Sequence, residues 1–347
     1  LNENPKLRFF IKNARGKGII TNYYQTTYRK NCLLMYIMHP FRNKTDTALH
    51  QAYWQVKVLS KIISEHHYDV DIIDYNNDLV RLKRNYDLVI DLIPGRNQVF
   101  RNHMNANCKT IAYLTGSNAS IQNAAEIKRI DGVERRKGVK IIPRRQSPLL
   151  TKEIEDYTAA FMIGNEYNWK TYDEFDMPPV YFIKNTGYKW PYRFNEAKKE
   201  KNSFLYFGSS GQVHKGLDLL LDIFSEVGFP CNLYVCGTFK DEEDFEKAYH
   251  HELYECKNIY PIGFINIKSV EFRELVDKCC YSIMPSCSEG IAGSVLTTMS
   301  AGLINICSYE CGLEEDEVFC LKDCRIDTIS SAVLNFASKN MDWIRRE

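Results

Sequence analysis

Residues 207–221, FGSSGQVHKGLDLLL, join a short apolar run to an apolar helical pattern through glycine and serine. The order is close to that of a phosphate-binding P-loop, but Lys215 precedes Gly216 and Leu217 stands where that motif needs a hydroxyl. The stretch is therefore not a Walker motif. It still offers an anion a flexible backbone, the N–H groups of a helix start and one cation. A strand, a glycine turn and a helix in this order predict a parallel α/β sheet.

A second stretch, residues 285–302, PSCSEGIAGSVLTTMSAG, has the same organisation. A predicted strand ends at Pro285, a loop carries the single carboxylate Glu289, and glycines flank the start of a helix near Ser294. The free N–H groups of a first helical turn form an anion site. A carboxylate beside such a site suits a ligand with phosphate at one end and hydroxyls at the other, such as a sugar nucleotide. The alternative is a tight strand-to-helix turn with a solvated Glu289.

Strand and helix patterns alternate along most of the chain. The predicted strands are CLLMYI (32–37), YDVDIID (68–74), YDLVIDLI (86–93), CKTIAYL (108–114), AAFMIG (159–164), SFLYFG (203–208), CNLYVCG (231–237), NIYPIGFI (258–265), CYSIMPS (280–286) and LINICS (303–308). The predicted helices are 47–64, 120–130, 166–175, 216–227, 269–279 and 294–302. The pattern predicts the α/β class, with two doubly wound, Rossmann-like domains.

A polar segment without periodicity separates the two halves, KNTGYKWPYRFNEAKKEKN at residues 184–202. We therefore predict an N-terminal domain over 1–184, a linker over 185–202 and a C-terminal domain over 203–347.

Ligands of doubly wound folds lie beyond the carboxyl ends of the strands, so we expect one cleft between the domains. The N-terminal wall is predicted to carry His39, Arg42, Arg96, Thr115, Ser117 and Asn118, of which the last five are candidates for binding the acceptor. The C-terminal wall is predicted to carry Ser209, Lys215, Thr238 and Glu289. His39, at the end of a predicted strand, is a candidate for orienting a sugar; a turn histidine is the alternative.

Composition excludes several classes of protein. The 347 residues contain 45 Lys plus Arg against 44 Asp plus Glu, so no bulk charge attracts nucleic acid. No run of 18 apolar residues and no signal-peptide pattern occurs, which favours a cytoplasmic location. Four of the twelve cysteines form a cluster, Cys307, Cys311, Cys320 and Cys324. Their gaps are one residue longer than a CxxC knuckle, so reduced thiols are favoured over zinc.

Residues 203–312 resemble glycosyltransferase family 4, the large retaining family of GT-B fold. FGSSGQVHKGLDLLL and MPSCSEGIAGSVLTTMSAG match, in order, the two segments that bracket the family's donor site, with NIYPIGFI between them, and FIKNTGY resembles the turn that opens the linker. The resemblance implies a GT-B architecture, two Rossmann-like domains facing across a cleft.

The resemblance also implies roles for single residues. Lys215 would contact the donor diphosphate beside Gly208 and Ser209, and Glu289 would hydrogen-bond the transferred sugar. The other implied contacts are Gly290 and Ile291 on the sugar, Ser294, Val295 and Leu296 on phosphate, Phe264 and Ile265 on the base, and Thr297 on ribose. Together with His39, Lys215 and Glu289 are the expected catalytic residues.

Three positions depart from the family pattern. Thr297 replaces a second glutamate, Ser209 replaces an arginine, and Thr115 with Gly116 stands where a histidine is common. The expected activity is a retaining, metal-independent transfer of sugar from a nucleoside diphosphate to a glycan, lipid-linked or other hydroxyl acceptor, with no cofactor. The departures leave a second hypothesis open, a catalytically silent homologue that binds sugar nucleotides or glycans or supports a partner. A nicotinamide oxidoreductase is disfavoured because no strand is followed by G-x-G-x-x-G.

Two charged groups have alternative interpretations. Asp69 and Asp71 form an Asp-x-Asp pair typical of metal-dependent transferases, but they lie inside a predicted strand. The basic residues Arg135, Arg136, Arg144 and Arg145 form either a solvated face or a surface for an anionic acceptor or a lipid head group. The second interpretation would place the protein at the inner face of a membrane.

Overall fold

The computed structural model describes residues 18–42, 50–190 and 195–347. These residues form two compact units. The first contains the described residues up to Thr115 together with Leu150–Ile163 and Tyr172–Ile183. The second contains Gly116–Leu149, Gly164–Thr171 and the described residues from Lys184 to Glu347. Each unit is built around one mainly parallel sheet, which confirms the predicted α/β class with two Rossmann-like domains.

The first unit contains a seven-stranded sheet in the order β1-β3-β2-β4-β5-β6-β7. Its strands are β1 (Ile19–Ile20), β2 (Lys30–Tyr36), β3 (Tyr68–Asp74), β4 (Tyr86–Asp91), β5 (Met104–Leu114), β6 (Ala159–Met162) and β7 (Val180–Phe182). All neighbours run parallel except β1, which is antiparallel to β3. The central strands are almost fully buried, as expected for strands covered on both faces.

The second unit contains a six-stranded, fully parallel sheet in the order β10-β9-β8-β11-β12-β13. Its strands are β8 (Glu200–Phe207), β9 (Asn232–Cys236), β10 (Ile259–Gly263), β11 (Cys279–Met284), β12 (Ile304–Ser308) and β13 (Phe319–Leu321). β8 pairs with β11, so the segments that follow Phe207 and Met284 leave the same edge of the sheet side by side. This pairing positions the candidate site.

Eleven α-helices occur in the described part of the chain. They are α1 (His39–Arg42), α2 (Gln51–Glu65), α3 (Ala119–Lys137), α4 (Glu166–Lys170), α5 (Leu217–Phe224), α6 (Glu243–Ala248), α7 (His250–Tyr254), α8 (Val270–Lys278), α9 (Gly293–Ser300), α10 (Ile326–Ala337) and α11 (Met341–Arg346). α5 begins after Gly216, whose φ of 79° suits glycine, and seven of its eight residues are buried. None of these helices is long and apolar enough to span a bilayer.

The structure differs from the sequence-based elements in several places. His39 begins the short helix α1 instead of ending a strand, and the helix predicted over 166–175 ends at Lys170. Helices α6, α7 and α10 and strands β1, β7 and β13 have no counterpart among the predicted elements. Part of the helix predicted over 47–64 lies outside the described residues; the rest is α2.

The segment Gly116–Leu149 belongs to the second compact unit, although the sequence boundaries assign it to the first domain. Helix α3 explains the grouping: Ile130 and Val133 join the same buried cluster as α5, and Arg136 pairs with Asp218 and Asp222. This segment contributes residues to the candidate site.

Candidate active site

The candidate site is formed by two loops that follow β8 and β11. The first, residues 208–216, begins where the N–H of Gly208 donates to the carbonyl of Cys236, 2.9 Å away. The second, residues 285–292, is joined to the first by the Cys287 N–H, which donates to the carbonyl of His214 at 2.9 Å. The loops pack so closely that a Cβ on Gly216 would lie 2.7 Å from Cγ of Pro285. They therefore form one surface.

Lys215 and Glu289 form a buried ion pair where the loops meet. Their side chains are only 6% and 12% exposed, and Ser286 Oγ donates to the same carboxylate oxygen at 3.3 Å. Burial by itself would raise the pKa of Glu289, but the positive charges of Lys215 and Arg145 outweigh it and lower that pKa to about 2. Glu289 is thus a carboxylate at physiological pH.

His214 is buried beside this pair and is neutral. Its exposure is 1%, and burial together with the charges of Lys215 and Arg145 lowers its pKa to about 4. Its Nε2 carries the proton, because it donates to the carbonyl of Ser288, which can only accept. Nδ1 is buried and has no hydrogen-bond partner among the described residues.

Two asparagines that lie outside the two loops donate hydrogen bonds to the backbone of the second loop. Asn168, fully buried, donates from Nδ2 to the carbonyl of Glu289 at 2.7 Å and to Ser117 Oγ at 2.9 Å. Asn185 Nδ2 donates to the carbonyl of Ile291 at 2.6 Å. The carbonyls of Glu289 and Ile291 are thereby fixed. The sequence interpretation missed Asn168; the only local signal is its capping box with Asn165 at the start of α4.

Glu242 occupies part of the expected anion site. Its carboxylate accepts hydrogen bonds from the N–H groups of Gly211 and Gln212, at 2.5 and 3.2 Å. Glu242 is 3% exposed, and burial raises its pKa. These two amides belong to the glycine-containing loop whose backbone was expected to face an anion, and a side chain of the protein itself binds them. Lys215 is the cation that the first loop brings to the site.

The remaining expected donor residues surround this pair to different degrees. Ser209 is exposed, Phe264 is 75% exposed after β10, and Ile265 is half-buried. Gly290, Ile291 and Val295 are buried, and Leu296 is half-buried. Ser294 Oγ donates to the sulfur of Met284 at 3.1 Å. The hydroxyl of Thr297 is buried and donates to the carbonyl of Gly293 at 2.8 Å, so its proton is not directed at a ligand.

The expected acceptor-side residues divide between the two units. His39, Arg42, Arg96 and Thr115 belong to the first unit, and Ser117 and Asn118 to the second. His39 stacks at a tilt on Tyr53, with ring centres 5.5 Å apart, and Arg96 pairs with Asp78.

Ser117 and Asn118 have structural partners within the second unit. Asn118 caps α3 by accepting from the Ser120 N–H at 3.1 Å, and its own N–H donates to Thr171. Ser117 accepts from Asn168, as described above.

Asp69 and Asp71 are occupied by the protein itself. Asp69 accepts from Thr26 and Tyr28 and pairs with Arg84, while Asp71 accepts from Asn22 N–H and the Tyr86 hydroxyl.

Over residues 18–42, 50–190 and 195–347, no three His, Cys, Asp or Glu side chains are arranged to hold a metal ion. The metal alternative for these aspartates and for the cluster Cys307, Cys311, Cys320 and Cys324 is therefore not supported by the described residues. All twelve cysteines are free thiols.

The basic residues do not form one open surface. Arg136 pairs with Asp218 and Asp222, and Arg144 pairs with Asp244. These arginines are neutralised within the unit, which weakens the interpretation of a lipid-binding patch. Arg135 is exposed, and Arg145 is half-buried.

The sequence and the fold were compared with known proteins. Residues 201–338 match the model of the family described as Glycosyl transferases group 1, a range that includes both loops. No curated protein sequence matches the chain.

Among solved structures, the chain is similar to sucrose-phosphate synthase from Thermosynechococcus elongatus, with a TM-score of 0.58 and 13% identity over 91% of this chain and 92% of that chain. It is also similar to HepE from Anabaena in complex with UDP and glucose, with a TM-score of 0.52 and 11% identity over 91% and 95%. TarM from S. aureus matches with a TM-score of 0.50 and 10% identity over 74% of this chain and 49% of that chain, so the chain spans about half of its length. Residues 201–338 are therefore a glycosyl transferases group 1 domain, and the chain has the GT-B fold of these glycosyltransferases.

Proposed function

We propose that this protein transfers a sugar from a nucleoside diphosphate donor to a hydroxyl group of a glycan, a lipid-linked glycan or another acceptor. The observation that carries the proposal is the buried pair of Lys215 and Glu289 at the junction of two glycine-containing loops. The family match covers both loops. The similar HepE structure holds UDP and glucose, and the TarM structure holds UDP, which supports a ligand of this class here.

The two side chains suit opposite ends of a sugar nucleotide. Lys215 supplies a cation for the diphosphate, and the amides at the start of α9 supply further donors with the helix dipole. Glu289, ionised at physiological pH, accepts hydrogen bonds from sugar hydroxyls. When a diphosphate binds, Lys215 shares its three donors between Glu289 and phosphate.

We propose retention of configuration. The bond between the anomeric carbon and the diphosphate oxygen breaks, and the acceptor oxygen forms its bond to the same face of that carbon. The acceptor proton passes to an oxygen of the departing diphosphate. Lys215 and the helix-start amides stabilise the charge that develops on the leaving group, which is the main contribution a protein makes to such a step. In this proposal that charge is met without a metal ion.

A thermal-shift titration with UDP, GDP, ADP and TDP and their sugar conjugates, with and without EDTA, tests the donor site. A ligand that binds only the folded state raises Tm according to its concentration relative to Kd. We expect one nucleotide series to stabilise the protein equally with and without EDTA. NMR of the product of that donor should show an unchanged anomeric configuration. Absence of any shift contradicts the donor site, and an EDTA-sensitive shift contradicts metal independence.

The second hypothesis is a protein that binds sugar nucleotides without turnover. Two observations favour it. Glu242 accepts the hydrogen bonds of the Gly211 and Gln212 N–H groups, and the Thr297 hydroxyl donates its hydrogen bond within its own helix. Both reduce the number of groups available to a donor. The same titration distinguishes the hypotheses, because a silent homologue shows the thermal shift but releases no nucleoside diphosphate with any acceptor.

A further inference from the structure

Arg145 lies close to the candidate site, although it is 70 residues before Lys215 in the sequence. Its backbone is fixed by two side chains of α3. The Arg145 N–H donates to Glu126 Oε1 at 2.9 Å, and its carbonyl accepts from Gln122 Nε2 at 2.6 Å. Glu126 is 1% exposed, so this anchor is a built feature of the second unit.

The Arg145 side chain extends over the first loop. A Cβ on Gly211 would lie 2.6 Å from Cγ and 3.0 Å from Cδ of Arg145, and 3.5 Å from Cβ of His214. The aliphatic part of Arg145 thus packs on the backbone four residues before Lys215. Its positive charge acts on the same site, because it lowers the pKa of both Glu289 and His214.

The guanidinium lacks the partners that neighbouring arginines have. Nε of Arg145 is buried and has no hydrogen-bond partner among the described residues. Within that same part of the chain its side chain forms no ion pair, whereas Arg136 and Arg144 both pair with aspartates. A buried donor without an acceptor is costly and uncommon, so each such donor requires an explanation.

The charge balance supplies the explanation. Lys215 is neutralised by Glu289, so the pair by itself presents an approaching anion with no net charge. Arg145 adds a guanidinium whose charge is not held in an ion pair with any carboxylate of the described residues. A guanidinium also presents its N–H groups as a planar fork that fits two phosphate oxygens.

On the basis of the proposed function, we propose that Arg145 binds the diphosphate of the donor. It does so in addition to Lys215, from a segment outside the two loops.

Calorimetry measures the binding of UDP, GDP, ADP and TDP, and of the corresponding monophosphates and nucleosides. The proteins compared are the wild type, Arg145→Gln, Arg145→Lys and Arg144→Gln. For the nucleotide series that the wild type binds, we expect Arg145→Gln to lower the affinity for the diphosphate by about 10- to 100-fold. This is the loss expected when one hydrogen bond to a charged group is removed. The affinity for the nucleoside should not change. Arg145→Lys should retain part of the diphosphate affinity, and Arg144→Gln should match the wild type.

Two results overturn the proposal while leaving the proposed function intact: equal diphosphate affinity in the wild type and Arg145→Gln, or an equal loss for diphosphate and nucleoside, which indicates a structural role. A wild type that binds none of these nucleotides contradicts the proposed function as well. Arg145→Gln removes no hydrogen bond of the Nε group, so its Tm without ligand should stay near that of the wild type.

Discussion

A side chain at position 312 would collide with the loop that carries Glu289. Gly312 has a φ of 75°, and a Cβ there would lie 2.5 Å from the carbonyl carbon of Gly290 and nearer still to its oxygen. Gly228 has a φ of 79° with nothing within 4 Å, so it is a control with the same backbone strain and no collision. Both Gly→Ala changes carry the left-handed cost of about 1–2 kcal/mol.

We therefore expect Gly312→Ala to lower the free energy of unfolding by about 1–3 kcal/mol more than Gly228→Ala, because of the forced repacking. Urea denaturation of both variants measures the difference. Equal losses of unfolding free energy in the two variants would show that the backbone of Gly290 moves aside at no energetic cost.

The buried pair also makes a prediction about stability. Lys215→Met leaves the Glu289 carboxylate buried without its main partner, and removal of one member of such a pair costs about 3–5 kcal/mol. The double variant Lys215→Met/Glu289→Gln leaves no unpaired charge, so we expect it to be more stable than Lys215→Met alone. Chemical denaturation of the single and double variants tests this. If the loss of unfolding free energy in the double variant equals the sum of the losses in Lys215→Met and Glu289→Gln, the two side chains do not interact as the structure indicates.

At the scale of elements, Glu242 joins the start of α6 to the first loop. Glu242→Ala leaves the N–H groups of Gly211 and Gln212 without their acceptor, at about 1–3 kcal/mol for each buried donor. The next residue, Glu243, is exposed and pairs with Lys247 within α6, so Glu243→Ala should leave the stability close to that of the wild type. Denaturation curves of the two variants should differ accordingly. Similar curves would mean that water replaces Glu242 at these amides.

At the scale of the whole molecule, buried groups have opposite effects on how the free energy of unfolding depends on pH. Burial lowers the pKa of His214 to about 4, while burial raises the pKa of Asp91 and of Asp218 to about 6. Between pH 6.5 and 4 the unfolded chain protonates His214 and the folded chain does not, so this group removes stability as the pH falls. The two aspartates act in the opposite direction between pH 6 and 3.8, because the folded state holds their protons.

The His214 contribution therefore has to be measured as a difference. We expect the wild type to lose on the order of 3 kcal/mol more than His214→Gln between pH 7 and pH 4. Unfolding free energies of both proteins across that range provide the test. Parallel pH profiles would mean that His214 titrates normally in the folded state.

The sequence predicted the strands of both sheets except β1, β7 and β13, and it predicted the two glycine-containing loops, because apolar runs and glycine turns are local patterns. It also singled out Lys215 and Glu289, and the structure brings these two side chains together. It did not predict Asn168, Glu242 or Arg145 as parts of the site. Asn168 is 121 residues from the carbonyl that it binds, and Glu242 is 31 residues from Gly211. Such contacts depend on how helices pack on the sheet, which no local pattern specifies.

We propose that Lys215 and Glu289 form the donor site of a glycosyltransferase. The most direct test measures nucleoside diphosphate release from the sugar nucleotide that stabilises the wild type, for Lys215→Met, Glu289→Gln and the double variant. Lys247→Met and Glu243→Gln are matched controls, because they alter an ion pair of the same type on the exposed surface of α6. We predict that the three site variants lose turnover by about 100-fold or more, while both controls keep wild-type rates. Wild-type turnover in the folded double variant would contradict the account.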